Sequence, residues 1–219
     1  MISVLLTGFG PFPGAPANPT GALALRLARL RHPALHEARL AAHVFRVSYA
    51  AVDRELPALI ARHRPDVLLM FGLAARTRHV RIETRARNAR AAFPDADGIA
   101  LPRRAIVPGA THRMLPQPTP HILSASRGLR APVRLSRDAG AYLCNYLCWR
   151  ALDMTAQPDG PQLAAFIHVP KLDTVPRRRS RDASDRITMD DLARIGSRVL
   201  LALVVAARRR RCAPRPQAR

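Results

Sequence analysis

Ser3-Val4-Leu5-Leu6-Thr7, followed at once by Gly8-Phe9-Gly10-Pro11-Phe12-Pro13-Gly14, is a short apolar run that stops in glycine and proline. Four apolar or β-branched residues after Ser3, bounded by turn formers, predict a buried strand leading into a loop. After Asn18-Pro19-Thr20, the apolar positions Ala22, Leu25, Leu27 and Leu30 recur at helical spacing and end before Pro33, so the first unit is strand, loop, helix. The same alternation continues. Leu40 to Val47 predicts a strand, Val52 to Ala61 a helix, and Asp66 to Phe71 a third strand, apolar throughout after its first residue. Such alternation over one chain predicts an α/β protein, a three-layer α/β/α sandwich around a mixed, largely parallel sheet.

Beyond Gly72 the chain becomes rich in arginine. Val80, Ile82 and Thr84 alternate with Arg81, Glu83 and Arg85, the pattern of a half-exposed strand. Prolines at 102, 108, 116, 118 and 120 predict a long loop or lid between Leu101 and Pro120. Ordered structure is expected to resume at Ala131 to Leu135. It continues with a helix over Asp138 to Ala151, a strand over Ala165 to Val169, a basic loop over Pro176 to Arg186 and an amphipathic helix over Thr188 to Ala207. No repeat divides the 219 residues, which gives one domain over 1–207 and a basic, disordered tail over 208–219.

The formal charge of +21 first suggests nucleic acid or an acidic membrane surface. All but one of the 36 cationic residues are arginine, the exception being Lys171, and alanine and proline are abundant, as a codon bias would produce. Ten of the positive charges lie in two clusters, Arg177, Arg178, Arg179 and Arg181, and Arg208 to Arg211 with Arg215 and Arg219. No nucleic-acid reader motif or interleaved aromatics accompany them, so no specific nucleic acid is expected as a partner. The longest apolar run near the C-terminus, Val199 to Ala207, is far short of the roughly 20 residues of a spanning helix. The N-terminus lacks a basic segment before its apolar stretch, and three cysteines are too few for a disulfide framework. A cytoplasmic protein with no membrane partner is the expectation.

Several residues could carry chemistry. The first glycine loop has neither the phosphate-loop pattern nor a third glycine for a dinucleotide fingerprint, Pro13 standing there, so no nucleotide cofactor is expected. It does place Phe9 and Phe12 at the end of a strand, where open α/β sheets hold ligands. Cys144 stands near the start of a predicted helix, where the helix dipole favours a thiolate. Cys148 lies one turn further, and Cys-x-x-x-Cys without a second pair is not a zinc pattern, so no metal is expected. A cysteine in an apolar helix is otherwise a small core residue. His168 differs from the other seven histidines by standing at the end of an apolar strand, with His43 a weaker competitor.

Four blocks then fall in order: Leu6-Thr7-Gly8-Phe9-Gly10-Pro11-Phe12 with Asn18-Pro19; Ile82-Glu83-Thr84-Arg85-Ala86-Arg87-Asn88 with Pro94-Asp95 and Gly98; Ala139-Gly140-Ala141-Tyr142-Leu143-Cys144-Asn145; and Phe166-Ile167-His168-Val169-Pro170. Together they resemble the pyroglutamyl peptidase family. The resemblance implies an α/β/α cysteine peptidase that removes an N-terminal pyroglutamyl residue, or a similar blocked residue, from small peptides through a thioester. Cys144 would be the nucleophile, His168 the general base and Glu83 the group orienting the imidazole. It also implies self-association into a homo-oligomer and a ring pocket formed by Phe9, Phe12, Asn18, Tyr142 and Leu143. Leu73 replaces an amide side chain that reads the lactam, and Ala92 replaces an arginine, with Arg90 nearby. Those departures keep open an alternative, a catalytically weakened relative that binds a lactam or blocked peptide. A basic nucleic-acid-binding protein is a third reading.

Composition bears on the same blocks. The chain has three asparagines, Asn18, Asn88 and Asn145, and all lie inside them. Glu83 is one of three glutamates, beside Glu37 and Glu55. An exposed pair of Glu83 with Arg81 or Arg85 would be worth only about 0–1 kcal/mol, too little for stability to demand it.

Overall fold

A computed structural model describes residues 1–172 and 186–212. Its elements are β1 (Ile2–Phe9), α1 (Thr20–Ala28), β2 (Ala38–Phe45), α2 (Tyr49–His63), β3 (Val67–Leu73), β4 (Val80–Glu83), β5 (Arg85–Ala86), β6 (Arg113–Met114), α3 (Thr119–Ala125), β7 (Val133–Ser136), α4 (Leu143–Thr155), β8 (Leu163–Val169) and α5 (Met189–Cys212). The main sheet runs β2-β1-β3-β8-β4-β7, and β5 and β6 form a small separate ribbon. Every neighbouring pair in the main sheet is parallel except β8 and β4. The mixed, largely parallel sheet expected from the alternation is therefore present.

The strands β1, β3 and β8 are buried on both faces, which is why they read as continuous apolar runs. Their period of two divides the interior into two cores. Val4, Leu6, Leu69, Phe71, Ala165 and Ile167 pack under α1, α3 and α5, while Leu5, Leu68, Met70, Ala164 and Phe166 pack under α2 and α4. Helices thus cover both faces in three layers. Among the described residues no helix is long and apolar enough to cross a membrane.

The differences from expectation have local causes. The strand over Val80 to Glu83 is not half-exposed: Val80, Ile82 and Glu83 are all buried, because β7 flanks it and the Glu83 carboxylate is taken inward. The proline-rich segment is mostly loop, but it ends in α3, where Pro118 caps the helix and Pro120 occupies its first turn, a position proline tolerates. Helix α4 begins at Leu143 rather than at Asp138. Gly140 adopts φ +82°, and Asp138 Oδ1 accepts the Gly140 amide at 2.9 Å, so 138–142 form a turn.

The tail boundary also moves. Residues 208–212 continue α5, and the Arg211 guanidinium donates to Asp66 Oδ1 from Nε at 2.9 Å and from Nη2 at 2.7 Å. Asp66 is buried and its other oxygen accepts the Ser3 amide, so the cationic end of α5 closes onto the start of β1. The remainder of the expected tail, 213–219, lies outside the described residues. So does all of the expected basic loop except Arg186.

Candidate active site

Parallel pairing brings the ends of β1, β3 and β8 to one edge of the sheet, and β4 returns beside β8 in the opposite direction. His168 is the penultimate residue of β8 and points to the α4 face, as Phe166 does two residues earlier. The antiparallel register sets Arg81 opposite His168 and Glu83 opposite Phe166, so both β4 side chains share the face of the imidazole. His168 Nδ1 donates to Glu83 Oε1 at 2.8 Å. His168 is 4% exposed and Glu83 0%.

Glu83 Oε1 also accepts from Arg81 Nε at 3.1 Å, and Arg81 reaches on to Ser136 Oγ at 2.5 Å. The two readings of Glu83 meet in one oxygen. It is an ion-pair partner of Arg81, but a buried one, and it holds the histidine. Arg85 turns away and donates to the Arg137 carbonyl. Glu83 Oε2 has no hydrogen-bond partner among the described residues.

With Nδ1 committed to the carboxylate, Nε2 is the nitrogen left free on the ring, and the Cys144 thiol lies near it over Gly72, the residue opposite His168 in register. Burial by itself would lower the His168 pKa. The neighbouring Cys144 thiol and the hydrogen-bonded Glu83 carboxylate outweigh it and raise the value to about 9. A protonated imidazole beside a sulfur is the state this environment favours.

Cys144 is the second residue of α4. The first-turn amides of a helix have no intrahelical acceptor, and the side chain of Tyr142 at the cap does not take one up. The turn imposed by Gly140 therefore decides the thiol's position: a helix starting at Asp138 would have buried Cys144 in its second turn. Room for the sulfur comes from Gly72 on β3, opposite His168 in register. Cys148, one turn on, is completely buried, and burial drives its thiol pKa well above the ordinary value.

Phe9, Phe12, Tyr142 and Leu143 belong to the same apolar cluster as Cys144, with Phe9 and Leu143 buried and Phe12 and Tyr142 half-buried. Leu73 is not brought to it. It ends β3 one residue beyond Gly72, so alternation turns it to the face of Leu69 and Phe71. Asn18 acts on the loop itself: its amide donates to Gly10 O at 3.0 Å, and its Oδ1 accepts from Thr20 Oγ1 at 2.9 Å. Asn145 is fully buried and clamps the segment after β5, accepting the Arg87 amide and donating to the Arg87 and Ala89 carbonyls. Asn88 holds the facing loop through Val107 and Ala110. All three asparagines bind backbone.

Two further residues shape the site. Gly72 carries no chemical group for a sequence reading to single out. Tyr49, at the start of α2, packs edge-on against Tyr142 and Tyr146 at 6.1 and 5.0 Å. Its signal was rarity, since these are the only three tyrosines in the chain.

A thiol in the first turn of a helix, a hydrogen-bonded imidazole and a buried carboxylate behind it, on an α/β/α frame, define a cysteine hydrolase by class. The sequence profile of the pyroglutamyl peptidases matches residues 2–196. The chain belongs to the pyroglutamyl peptidase family. The pyrrolidone-carboxylate peptidase of Pyrococcus furiosus is 33% identical over 171 residues, covering 77% of this chain and 81% of the relative, and that of Gloeobacter violaceus is 32% identical over 173 residues, covering 77% and 82%. Among solved structures, pyrrolidone carboxyl peptidase from Thermococcus litoralis superposes with a TM-score of 0.84 at 25% identity over the whole of both chains. A mutant of the Pyrococcus furiosus enzyme gives 0.83 at 26% identity over 94% of this chain and 99% of that one.

Proposed function

We propose that this protein hydrolyses the amide bond after an N-terminal pyroglutamyl residue of a small peptide, with Cys144 as nucleophile, His168 as acid and base, and Glu83 as the group that positions the imidazole. The observation that carries this reading is the buried hydrogen bond from His168 Nδ1 to Glu83 Oε1 at 2.8 Å, on an imidazole whose pKa the neighbouring Cys144 thiol helps to raise.

The Cys144 thiolate attacks the carbonyl that joins the pyroglutamyl ring to the next residue. The oxyanion of the tetrahedral intermediate lies against the first-turn amides of α4, which have no other acceptor. His168 then gives its proton to the departing amine, and the C–N bond breaks to leave a thioester. Water attacks the thioester, His168 takes its proton, and pyroglutamate leaves as the thiolate reforms. Glu83 holds Nδ1–H throughout and stabilises the imidazolium.

The lactam has no charged amino group, so its pocket needs apolar walls and few polar contacts. Phe9, Phe12, Tyr142 and Leu143 supply such walls next to Cys144. The turned-away Leu73 takes no part. Release of aminomethylcoumarin from its pyroglutamyl amide tests the reading: wild type should turn it over and Cys144→Ala should not. Equal rates in the two proteins, or none in either, would overturn it.

A further inference from the structure

Beside the start of α4 lies a surface cavity of about 650 Å³ whose walls include Arg87, Arg90, Arg103 and Arg104, with Phe93 and Ala141. Arg87 is paired with Asp138 at 2.9 Å. Arg90, Arg103 and Arg104 have no carboxylate partner among the described residues, and Arg90 Nε is buried without any acceptor. Three unneutralised guanidinium groups around one cavity repel one another, and a buried donor without a partner keeps its desolvation cost unrepaid. Both conditions are relieved by an anion, and guanidinium groups are shaped to bind carboxylate through two parallel hydrogen bonds.

The cavity is tied to the thiol by the chain. Ala141 precedes Cys144 by three residues, which limits their Cα separation to roughly 11 Å. The segment carrying Arg87 and Arg90 is held to α4 by Asn145 and by the Ala91 amide on the Ala141 carbonyl at 2.6 Å. The Arg90 amide in turn bonds the Arg104 carbonyl at 2.8 Å, closing the two sides of the cavity on each other. Arg90 is also near enough to Tyr49 and Tyr146 to act on both phenols.

We propose that this cavity binds a carboxylate on the leaving side of the substrate, so that the protein prefers pyroglutamyl peptides that are acidic within about three residues of the cleaved bond. The inference rests on the activity proposed above. A carboxylate one to three residues beyond the scissile bond spans the distance from Cys144 to Ala141, and the exposed Phe93 offers an apolar face for the intervening peptide. The carboxylate can be an acidic side chain or the peptide's own C-terminus.

The test compares kcat/KM for pyroglutamyl-Ala-Ala amide, pyroglutamyl-Ala-Ala with a free C-terminus, pyroglutamyl-Glu-Ala amide and pyroglutamyl-Lys-Ala amide. A carboxylate form should exceed the neutral amide by about tenfold at low salt, and the lysine peptide should fall below it. Which carboxylate is favoured tells whether the side chain or the terminus is read. Arg103→Ala with Arg104→Ala should remove the preference and leave the pyroglutamyl coumarin amide unaffected. Equal rates for all four peptides, or a preference that survives the double variant, would overturn the proposal. If no pyroglutamyl compound is hydrolysed, the activity falls, and binding of fluorescein-labelled Ala-Glu-Glu decides the cavity separately: weaker binding by the double variant supports it, equal binding refutes it.

Discussion

A Cβ placed on Gly72 would lie 2.7 Å from Cys144 Sγ and 2.6 Å from the Phe166 ring. The thiol thus rests over bare backbone, on the strand beside His168. Gly72→Ala drives a methyl group between the half-buried Cys144 sulfur and a fully buried aromatic. Overpacking of this kind costs about 1–3 kcal/mol, and displacing a reacting atom by an ångström costs about a hundredfold in rate. The variant should remain folded, melt several degrees lower and lose most of its coumarin-amide activity. Unchanged kcat/KM in a folded Gly72→Ala protein would show that Sγ does not react from this position.

The proton on His168 sets an alkaline limit. Its pKa lies at about 9, above the ordinary 6.5, so the imidazolium persists through neutral pH and is lost as pH rises through about 9. The activity profile should fall on that limb. Glu83→Gln keeps a side chain of the same size but removes the charge that favours the imidazolium. Its limb should move to lower pH, with kcat reduced by up to about four orders of magnitude. A profile whose alkaline limb is identical in Glu83→Gln would separate the carboxylate from the titration of His168.

The three cysteines should react unequally. Cys212 is exposed, Cys144 is half-buried beside an imidazolium, and Cys148 is completely buried with its thiol pKa raised. Brief iodoacetamide treatment, followed by peptide mapping, should label Cys144 and Cys212 and spare Cys148 until the protein unfolds. In a Cys212→Ser background the loss of activity should track labelling of Cys144 mole for mole. Labelling of native Cys148 would contradict the packing of α4.

The fold was legible because its central strands are apolar on both faces and its first helices carry a clear period, as Leu5, Leu23, Leu68 and Ile167 illustrate. The three reactive side chains were legible for a different reason. Glu83 and Cys144 are scarce residue types in this chain, and His168 stands out by its place on an apolar strand. What sequence could not convey was direction. Strand alternation turns Leu73 away and Gly72 towards the thiol, a difference of one residue. A left-handed glycine at 140 moves the helix start by five residues, and no periodicity records that. Arg81 meets Glu83 Oε1 by alternation along β4, but His168 reaches the same oxygen only because β8 pairs antiparallel with β4, a non-local fact.

Asn145 adjoins Cys144 but serves the backbone. Its amide makes three hydrogen bonds, at 2.8, 2.8 and 3.0 Å, to Arg87 and Ala89, and it is fully buried. Asn145→Ala leaves those groups without partners, and the expected destabilisation is about 2–3 kcal/mol. Because the same segment carries Arg90 and approaches Tyr142, whose hydroxyl donates to Pro94 O at 2.9 Å, KM should rise more than kcat falls. Denaturant unfolding with steady-state kinetics measures both. A purely catalytic role would instead lower kcat and leave stability intact.

The end of α5 offers a test of stability away from the site. Asp66 is 6% exposed and receives the Ser3 amide at 2.7 Å on one oxygen and two Arg211 donors on the other. Arg211 itself is about half exposed, so solvent weakens the pair, but removing it leaves a buried carboxylate short of one partner. A chain ending at Ala207 should fold and melt lower, by about 1–2 kcal/mol in stability. Arg211→Ala should account for most of that loss, while Arg209→Ala should cost little, since Arg209 makes no side-chain bond among the described residues. The coumarin-amide activity of all three proteins should match wild type at temperatures where they are folded. A truncated chain as stable as the full one would mean that the arginine run contributes nothing to closing α5 onto β1.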